Sequence, residues 1–294
     1  MQKSGKDSIG AAWQWFLKTL GQIYPPNELQ AIGREVFRHY FGLGPAERVL
    51  AQDSPLTDDQ LQTLERVIAQ LKKHVPLQHI TGLAPFFGLE FKVNESVLIP
   101  RPETEELVLW VLETLEKKLE QATAKISILD VGTGSGCIAI ALASNLKGAS
   151  VSACDVSESA LKLAMENASR NKKEVSFFLC DILHDQPGLR NLDVVVSNPP
   201  YIRESEKILM QPNVLNFEPL SALFVRDNDP LIFYRAIASR AFHLLKPGGW
   251  LFFEINESLG RETKECVEKE GFIHVELKKD INGRDRMIRA RKSL

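Results

Sequence analysis

The sequence predicts an α/β protein: a doubly wound, mostly parallel sheet of seven strands, with a small all-helical N-terminal domain and a linking β-hairpin ahead of it. Three observations carry that expectation. From Ile126 onward, short apolar runs alternate with helical patterning, which builds a parallel sheet covered by helices on both faces. Before Val75 only helical periodicity is found. Between the two, Phe86-Phe87-Gly88-Leu89-Glu90-Phe91-Lys92-Val93 reads as two short strands about a glycine turn. The implied domains are residues 1–82 (helical), 83–100 (hairpin linker) and 101–294 (α/β).

In the helical region, Ala11, Trp13, Trp15, Phe16 and Leu20, and later Leu61, Leu64, Val67, Ile68 and Leu71, recur at helical spacing. Thr57 followed by Gln60 is a capping box for the last helix. Pro25-Pro26, Gly42-Leu43-Gly44-Pro45 and Ser54-Pro55 punctuate the segment into short helices. No His, Cys or carboxylate cluster is found there, so a docking surface or structural cap is expected rather than chemistry. His39, His74 and His79 are scattered and read as packed or solvated.

After the hairpin, Pro102 with Glu103, Glu105 and Glu106 opens a helix, and Leu107, Val108, Val111, Leu112, Leu115 and Leu119 continue its apolar face. Arg101, between two prolines, is either a functional cation or a partner for nearby glutamates. The strands that follow are Ile126–Val131, Val151–Asp155, Val175–Cys180, Leu192–Ser197, Gly249–Ile255, Ile273–Leu277 and Arg286–Arg291. No helix separates the last two, so one of them runs antiparallel. The locally basic tail from Lys278 to Lys292 reads as a solvated edge strand. The longest irregular insertion, Ile202 to Asp229, is expected to act as a lid or part of a substrate pocket.

Bulk properties narrow the function. A chain of 294 residues, 44% hydrophobic and 25% charged, has the composition of a soluble protein with a proper core. A net charge of −2 and a pI near 6.3 argue against tight binding to a nucleic-acid backbone. No apolar run approaches the roughly 20 residues of a membrane span, and Met1 to Gly10 contains no apolar signal core. A cytoplasmic monomer is expected, without membrane association. Cys137, Cys154, Cys180 and Cys266 form no CxxC pair, so free thiols are expected rather than a metal site or disulfides.

Two motifs carry the chemistry. Ser197-Asn198-Pro199-Pro200-Tyr201 stops the apolar run Val194-Val195-Val196, and two prolines cannot continue a sheet ladder. Open α/β sheets place ligands at such carboxyl ends. Asn198 supplies an acceptor oxygen and a donor NH2, Pro199 a carbonyl and Tyr201 an aromatic face, a set suited to a planar amide or amino group. Taken alone, the stretch also fits a strand ending in a Pro-rich turn capped by Asn.

The second motif, Asp130-Val131-Gly132-Thr133-Gly134-Ser135-Gly136, ends the first strand and opens a helix. Its glycines permit a tight turn and let backbone N–H groups approach a ligand. The spacing is GxGxG rather than the dinucleotide GxGxxG. The next strand ends at Asp155, where a carboxylate can accept both ribose hydroxyls. The third ends at Asp181-Ile182, where the acid can accept from an adenine amino group and the isoleucine can lie against the ring. Together these point to a nucleoside-type cofactor; the competing reading makes both acids helix caps.

These residues resemble the class I S-adenosylmethionine-dependent methyltransferases that modify amino groups. More specifically, Pro76-Leu77-Gln78-His79-Ile80-Thr81-Gly82, the hairpin, Val97 to Glu105, Phe217-Glu218-Pro219 and Gly283-Arg284-Asp285-Arg286 resemble the peptide chain release factor glutamine-N5 methyltransferases. The resemblance covers nearly the whole chain. Ala84-Pro85 stands where many members carry an acidic residue, a departure that touches the hairpin and not the chemistry.

The resemblance implies a Rossmann-like methyltransferase sheet, S-adenosyl-L-methionine as cofactor, and an N-terminal domain that engages a class 1 release factor. The acceptor it implies is the side-chain nitrogen of the glutamine in that factor's Gly-Gly-Gln motif. Asn198, Pro199, Pro200 and Tyr201 would bind the substrate, with Tyr201 as one wall of the slot. Gly132, Thr133, Gly134, Ser135, Gly136, Asp155, Asp181, Ile182 and Asn198 would hold the cofactor; no metal is implied. The rival readings are a methyltransferase for adenine or guanine amino groups, which present the same planar NH2 when flipped out, and a non-catalytic translation-factor binding module. A nicotinamide dehydrogenase is disfavoured by the glycine spacing.

Overall fold

The computed structural model describes residues 7–120 and 125–294; the first six residues of the polar N-terminal stretch and the side chain of Leu119 lie outside the described part. The chain folds as two compact units, one running to Gly82 and including Pro212–Phe217, the other formed by Leu83–Gln211 and Glu218–Leu294.

The first unit contains α1 (Ile9–Leu20), α2 (Pro26–Phe41), α3 (Pro45–Leu50), α4 (Asp58–Leu71) and α5 (Leu77–Thr81). Ser8 caps α1 by accepting from the Ala11 N–H, and the Thr57–Gln60 capping box on α4 forms both of its bonds. Ile9, Trp13, Phe16, Leu20, Leu29, Val36, Phe37, Leu64, Val67, Ile68 and Leu71 make one apolar cluster. Gly33 lets α1 and α2 meet: a Cβ there would lie 2.7 Å from the Trp13 ring. The Tyr24 and Tyr40 hydroxyls donate to the Leu71 and Ile80 carbonyls, both at 2.9 Å, tying α4 and α5 to the rest.

The second unit opens with a hairpin, β1 (Leu83–Phe86) and β2 (Leu89–Lys92), whose turn is Phe87-Gly88. Its first strand therefore begins earlier than the aromatic pair suggests. Then follow α6 (Pro102–Glu120), β3 (Ser127–Val131), α7 (Cys137–Asn145), β4 (Ser150–Asp155), α8 (Glu158–Arg170), β5 (Ser176–Leu179), β6 (Leu192–Ser197) and β7 (Ile202–Arg203). After α9 (Pro212–Leu215), which clusters with the helical unit, come β8 (Phe224–Val225), α10 (Ile232–Leu244), β9 (Leu245–Glu254), α11 (Gly260–Lys269), β10 (Phe272–Lys279) and β11 (Asp285–Lys292).

Seven strands form the main sheet in the order β10-β11-β9-β6-β3-β4-β5. All of its pairings are parallel except those of β11, which runs antiparallel to both neighbours. The basic tail is thus not an edge strand: β11 lies between β9 and β10, and the Arg289 guanidinium sits 5.0 and 5.2 Å from the ring centres of Trp110 and Trp250. β9 also starts four residues before the expected Gly249, because the register jumps from Leu192–Leu245 to Val194–Trp250 and absorbs Lys246-Pro247-Gly248-Gly249 as a bulge.

Strand alternation sorts the core onto two faces. Ile128, Val151, Ala153, Val194, Val196 and Phe252 pack beneath α6, α7 and the hairpin. Leu129, Cys154, Val195, Leu251, Phe253 and Ile288 face α10 and α11. Cys137, Cys154 and Cys180 are buried free thiols, and Cys266 is a half-buried one. The insertion after β6 is more ordered than its composition suggests, since β7 and β8 pair in parallel within it. No helix among the described residues is long and apolar enough to cross a membrane.

Candidate active site

The chain order reverses between β3 and β6. After β3 the connection runs to β4 on one side, whereas β6 lies on the other, so a crevice opens at their carboxyl ends. The Ser197 hydroxyl donates to the Val131 carbonyl at 2.7 Å and joins the two strand ends. A cavity of about 320 Å³ lies there. It is lined by Gly132, Thr133, Gly134, Ser135, Asp155, Asp181, Ile182, Asn198, Pro199 and Pro200, bringing both sequence motifs to one place. Thr104, Arg101 and the insertion residues Pro219, Ser221 and Ala222 complete much of the rim.

The glycine turn is left-handed at Gly132, Gly134 and Gly136 (φ 70°, 54° and 82°), a conformation that β-carbons disfavour. Its N–H groups are largely spent within the protein. Gly132 and Thr133 donate to the Cys154 carbonyl at 2.9 and 3.0 Å, Gly136 donates to the Thr133 carbonyl, and Gly134 donates to Asp155 Oδ2 at 2.8 Å. The expected cradle of free N–H groups is therefore not what the turn provides. It offers close approach, because no atom lies within 4 Å of a Cβ built at Gly132 or Gly134. A pyrophosphate would find few donors here, which separates this turn from a dinucleotide site.

Asp155 accepts from Gly134 through Oδ2 and from the Ser157 N–H through Oδ1 at 2.9 Å, leaving further lone pairs toward the cavity. Burial pushes its pKa up, partly offset by these N–H bonds. Asp130, fully buried behind the turn, accepts from the Thr133 hydroxyl at 2.7 Å; burial pushes its pKa up to about 7. Asp181 borders the cavity, but its carboxylate is engaged locally: Oδ1 accepts from the Leu183 N–H and Oδ2 pairs with His184 Nδ1, each within 2.9 Å. The His184 bond holds its pKa below the usual carboxylate range. For this acid the cap-like reading describes the contacts present. Among the described residues lining the cavity, Arg101 is the one basic side chain, and its charge is paired with Glu218, which leaves Asp155 as the acid facing a ligand there.

At the end of β6, Asn198 Nδ2 donates to Thr104 Oγ1 at 3.2 Å. Among the described residues no protein donor reaches Asn198 Oδ1 or the Pro199 carbonyl. Tyr201 differs from expectation: its ring packs against the core beneath α10, it is absent from the cavity lining, and its hydroxyl donates to Glu254 Oε1 at 2.9 Å. Burial and the Glu254 charge raise the Tyr201 pKa well above its ordinary value, so the phenol stays a donor.

Sequence reasoning gave no role to three polar residues, although Thr104 and Glu218 lie in the stretches that carry the family resemblance. Glu254 ends β9 and accepts from Thr104 Oγ1 at 2.6 Å. Glu218 is buried and accepts from the Ile99 N–H at 3.0 Å while pairing with Arg101, which fixes Arg101 as a structural partner of the insertion. Thr104 sits in the first turn of α6. A signal for Glu254 existed: a lone carboxylate ends the run Leu251-Phe252-Phe253, the same strand-end position that marked Asp155.

A family model described as "Methyltransferase small domain" matches residues 109–214, and one described as "PrmC N-terminal domain" matches residues 11–82. A protein of Flavobacterium psychrophilum named release factor glutamine methyltransferase is 46% identical over 93% of this chain and 95% of its own length. A protein of that name from Bacteroides thetaiotaomicron is 42% identical over 93% and 96%. Among solved structures, a methyltransferase from Pyrococcus furiosus covers 81% of this chain and all of its own at 18% identity with a TM-score of 0.51, a likeness of fold. On this similarity across almost its full length, the chain belongs to the release factor glutamine methyltransferase family.

Proposed function

We propose that this chain transfers a methyl group from S-adenosyl-L-methionine to the side-chain amide nitrogen (N5) of the glutamine in the Gly-Gly-Gln motif of class 1 peptide chain release factors. The observation that carries the reading is Asn198 and Pro199 lining one cavity with the glycine turn and Asp155, with Asn198 Nδ2 committed to Thr104 so that Oδ1 is left to accept. Its relatives' name agrees with that acceptor.

The residues present fit the cofactor. Gly132 and Gly134 leave open space for close approach, Asp155 has lone pairs for a ribose diol, Ile182 offers an apolar face, and the acidic lining suits a sulfonium. When bound, S-adenosylmethionine supplies an electrophilic methyl group. An amide nitrogen is a poor nucleophile, so orientation is the task left to the protein. Asn198 Oδ1 and the Pro199 carbonyl accept the two amide protons and aim the nitrogen along its lone-pair direction. Each neutral hydrogen bond contributes only about 0.5–1.5 kcal/mol, whereas alignment of two reactants supplies roughly 7–11 kcal/mol. Positioning therefore dominates, and the amide proton released on alkylation passes to a neighbouring carbonyl or water. Glu254, 1% exposed and already bonded to Thr104 and Tyr201, is not needed as a base.

The test is transfer of labelled methyl from S-adenosylmethionine to a purified class 1 release factor, intact or with Gln→Ala in its Gly-Gly-Gln loop, alongside duplex DNA and ribosomal RNA. Label on the intact factor alone supports the reading. Label on nucleic acid would replace it with the nucleobase-amine reaction, and label nowhere would favour a binding module.

A further inference from the structure

Both polar side chains of the Asn198-Pro199-Pro200-Tyr201 motif lead to one buried carboxylate. Tyr201 Oη donates to Glu254 Oε1 at 2.9 Å, and Asn198 Nδ2 reaches Glu254 Oε2 through Thr104, by bonds of 3.2 and 2.6 Å. Thr104 and Glu254 are 2% and 1% exposed, so the bond between them is shielded from bulk solvent. We propose that Thr104 and Glu254 are positioning residues that set which face of the Asn198 carboxamide meets the substrate; this deepens the reading of Asn198 as an acceptor and rests on it.

An asparagine amide has nearly the same shape in either of its two flipped orientations, so packing alone holds it weakly. Only one orientation presents an acceptor to an incoming NH2. Burial raises the Glu254 pKa, and the hydroxyl bonds from Thr104 and Tyr201 with the nearby Arg286 charge pull it back toward the ionised form. A threonine hydroxyl carries a single hydrogen, and in the ionised form the carboxylate only accepts. Thr104 therefore commits its hydrogen to Glu254 and can only accept from Asn198. Nδ2 must turn toward Thr104, and Oδ1 must face the cavity. By accepting from Thr104, Glu254 thus specifies, one residue removed, the polarity of the slot. Tyr201 occupies the second carboxylate oxygen and keeps Glu254 from rotating its hydrogen bonds away from Thr104. The relay spans three elements: α6 holds Thr104, β9 ends at Glu254, and the chain leaving β6 carries Asn198 and Tyr201.

The experiment compares the full chain with Thr104→Val, Thr104→Ser, Glu254→Gln and Asn198→Ala, using a release factor as methyl acceptor. Valine keeps the threonine shape without the hydroxyl, and serine keeps the hydroxyl. Losing one neutral hydrogen bond's worth of orientation corresponds to a fall in kcat of up to about tenfold. That fall is expected for Thr104→Val, with KM for the release factor and calorimetric affinity for S-adenosylmethionine within about twofold of the parent; Thr104→Ser should restore the rate. A second readout needs no turnover. In ¹⁵N-labelled protein, the side-chain amide pair that disappears in Asn198→Ala should shift and exchange faster with solvent in Thr104→Val, but not in Thr104→Ser. Parental kcat in Thr104→Val, or an unmoved Asn198 amide pair, overturns the proposal. Should Thr104→Val fail to fold, Glu254→Gln is read by the same two measurements, because a carboxamide no longer obliges Thr104 to donate. If Asn198→Ala itself kept parental turnover, the proposed reaction geometry would fail, while the amide exchange data would still decide whether Thr104 orients Asn198.

Discussion

Replacing Asp155 separates its two candidate roles, ribose acceptor and local cap. Its oxygens each take one backbone N–H, from Gly134 at 2.8 Å and Ser157 at 2.9 Å, and retain lone pairs toward the cavity. Two hydroxyl donors of a cofactor diol would fill those positions. Hydrogen bonds to a charged group are worth about 1.5–3 kcal/mol each, so Asp155→Ala should weaken S-adenosylmethionine by about 3–6 kcal/mol, or roughly two to four decades in Kd. Asp155→Asn keeps the shape but has one oxygen, and its NH2 must oppose either the Gly134 or the Ser157 N–H. Its affinity should fall between the parent and alanine, with the glycine turn strained. Titration calorimetry of the three proteins gives the ranking, and thermal melts without cofactor report the loss of the turn. If Asp155→Asn bound within threefold of the parent while melting lower, the carboxylate would be a cap and the ribose assignment would be wrong.

Asp130 predicts a pH dependence of stability. Its pKa rises from 3.8 to about 7 on folding, so over that interval the native state holds a proton that the unfolded state has lost. The stabilisation it gives is present below the unfolded pKa and lost as pH rises through about 7, with a slope of about 1.4 kcal/mol per pH unit. Urea titrations between about pH 5 and 8 should show the parent losing stability relative to Asp130→Asn as pH rises; parallel curves would contradict this. Glu218→Gln leaves an NH2 facing either the Ile99 N–H or the Arg101 guanidinium, and with Arg101 one-third exposed the cost should be about 1–3 kcal/mol, visible in the melt and as faster proteolysis near residues 97–101. Gly33→Ala would gain up to about 1 kcal/mol of helix propensity but forces a Cβ to 2.7 Å from Trp13, so a net loss of about 1–3 kcal/mol is expected in the same assay, and a stabilised variant would refute the close approach.

Much of this protein is legible in its sequence. The alternation after Ile126 located the seven strands to within a few residues, because each apolar run had to be buried and each was closed by local turn chemistry. The Thr57–Gln60 cap, the helix opened by Pro102 and the ligand-bearing strand ends are likewise short-range features, written within a few positions of where they act. So were Gly132 to Gly136, Asp155 and Asn198, whose convergence follows from parallel strands sharing one carboxyl edge.

What the linear chain left open was decided by contacts between residues far apart in it. Asn198 meets Thr104 across 94 positions, Thr104 meets Glu254 across 150, and Arg101 meets Glu218 across 117. None of these pairs has a periodicity or spacing to announce it. Tyr201 illustrates the same limit: its aromatic face suggested a wall of the slot, yet the ring found more apolar surface to cover beneath α10 and its hydroxyl found Glu254. The glycine turn kept its predicted shape and lost its predicted donors, because neighbouring β4 presents the Cys154 carbonyl and the Asp155 carboxylate to the same N–H groups. Strand order put those acceptors within reach, and a buried N–H takes the nearest acceptor available. Local pattern therefore specified the elements and the motifs they carry, whereas packing in three dimensions chose the hydrogen-bond partner of each polar group at the site.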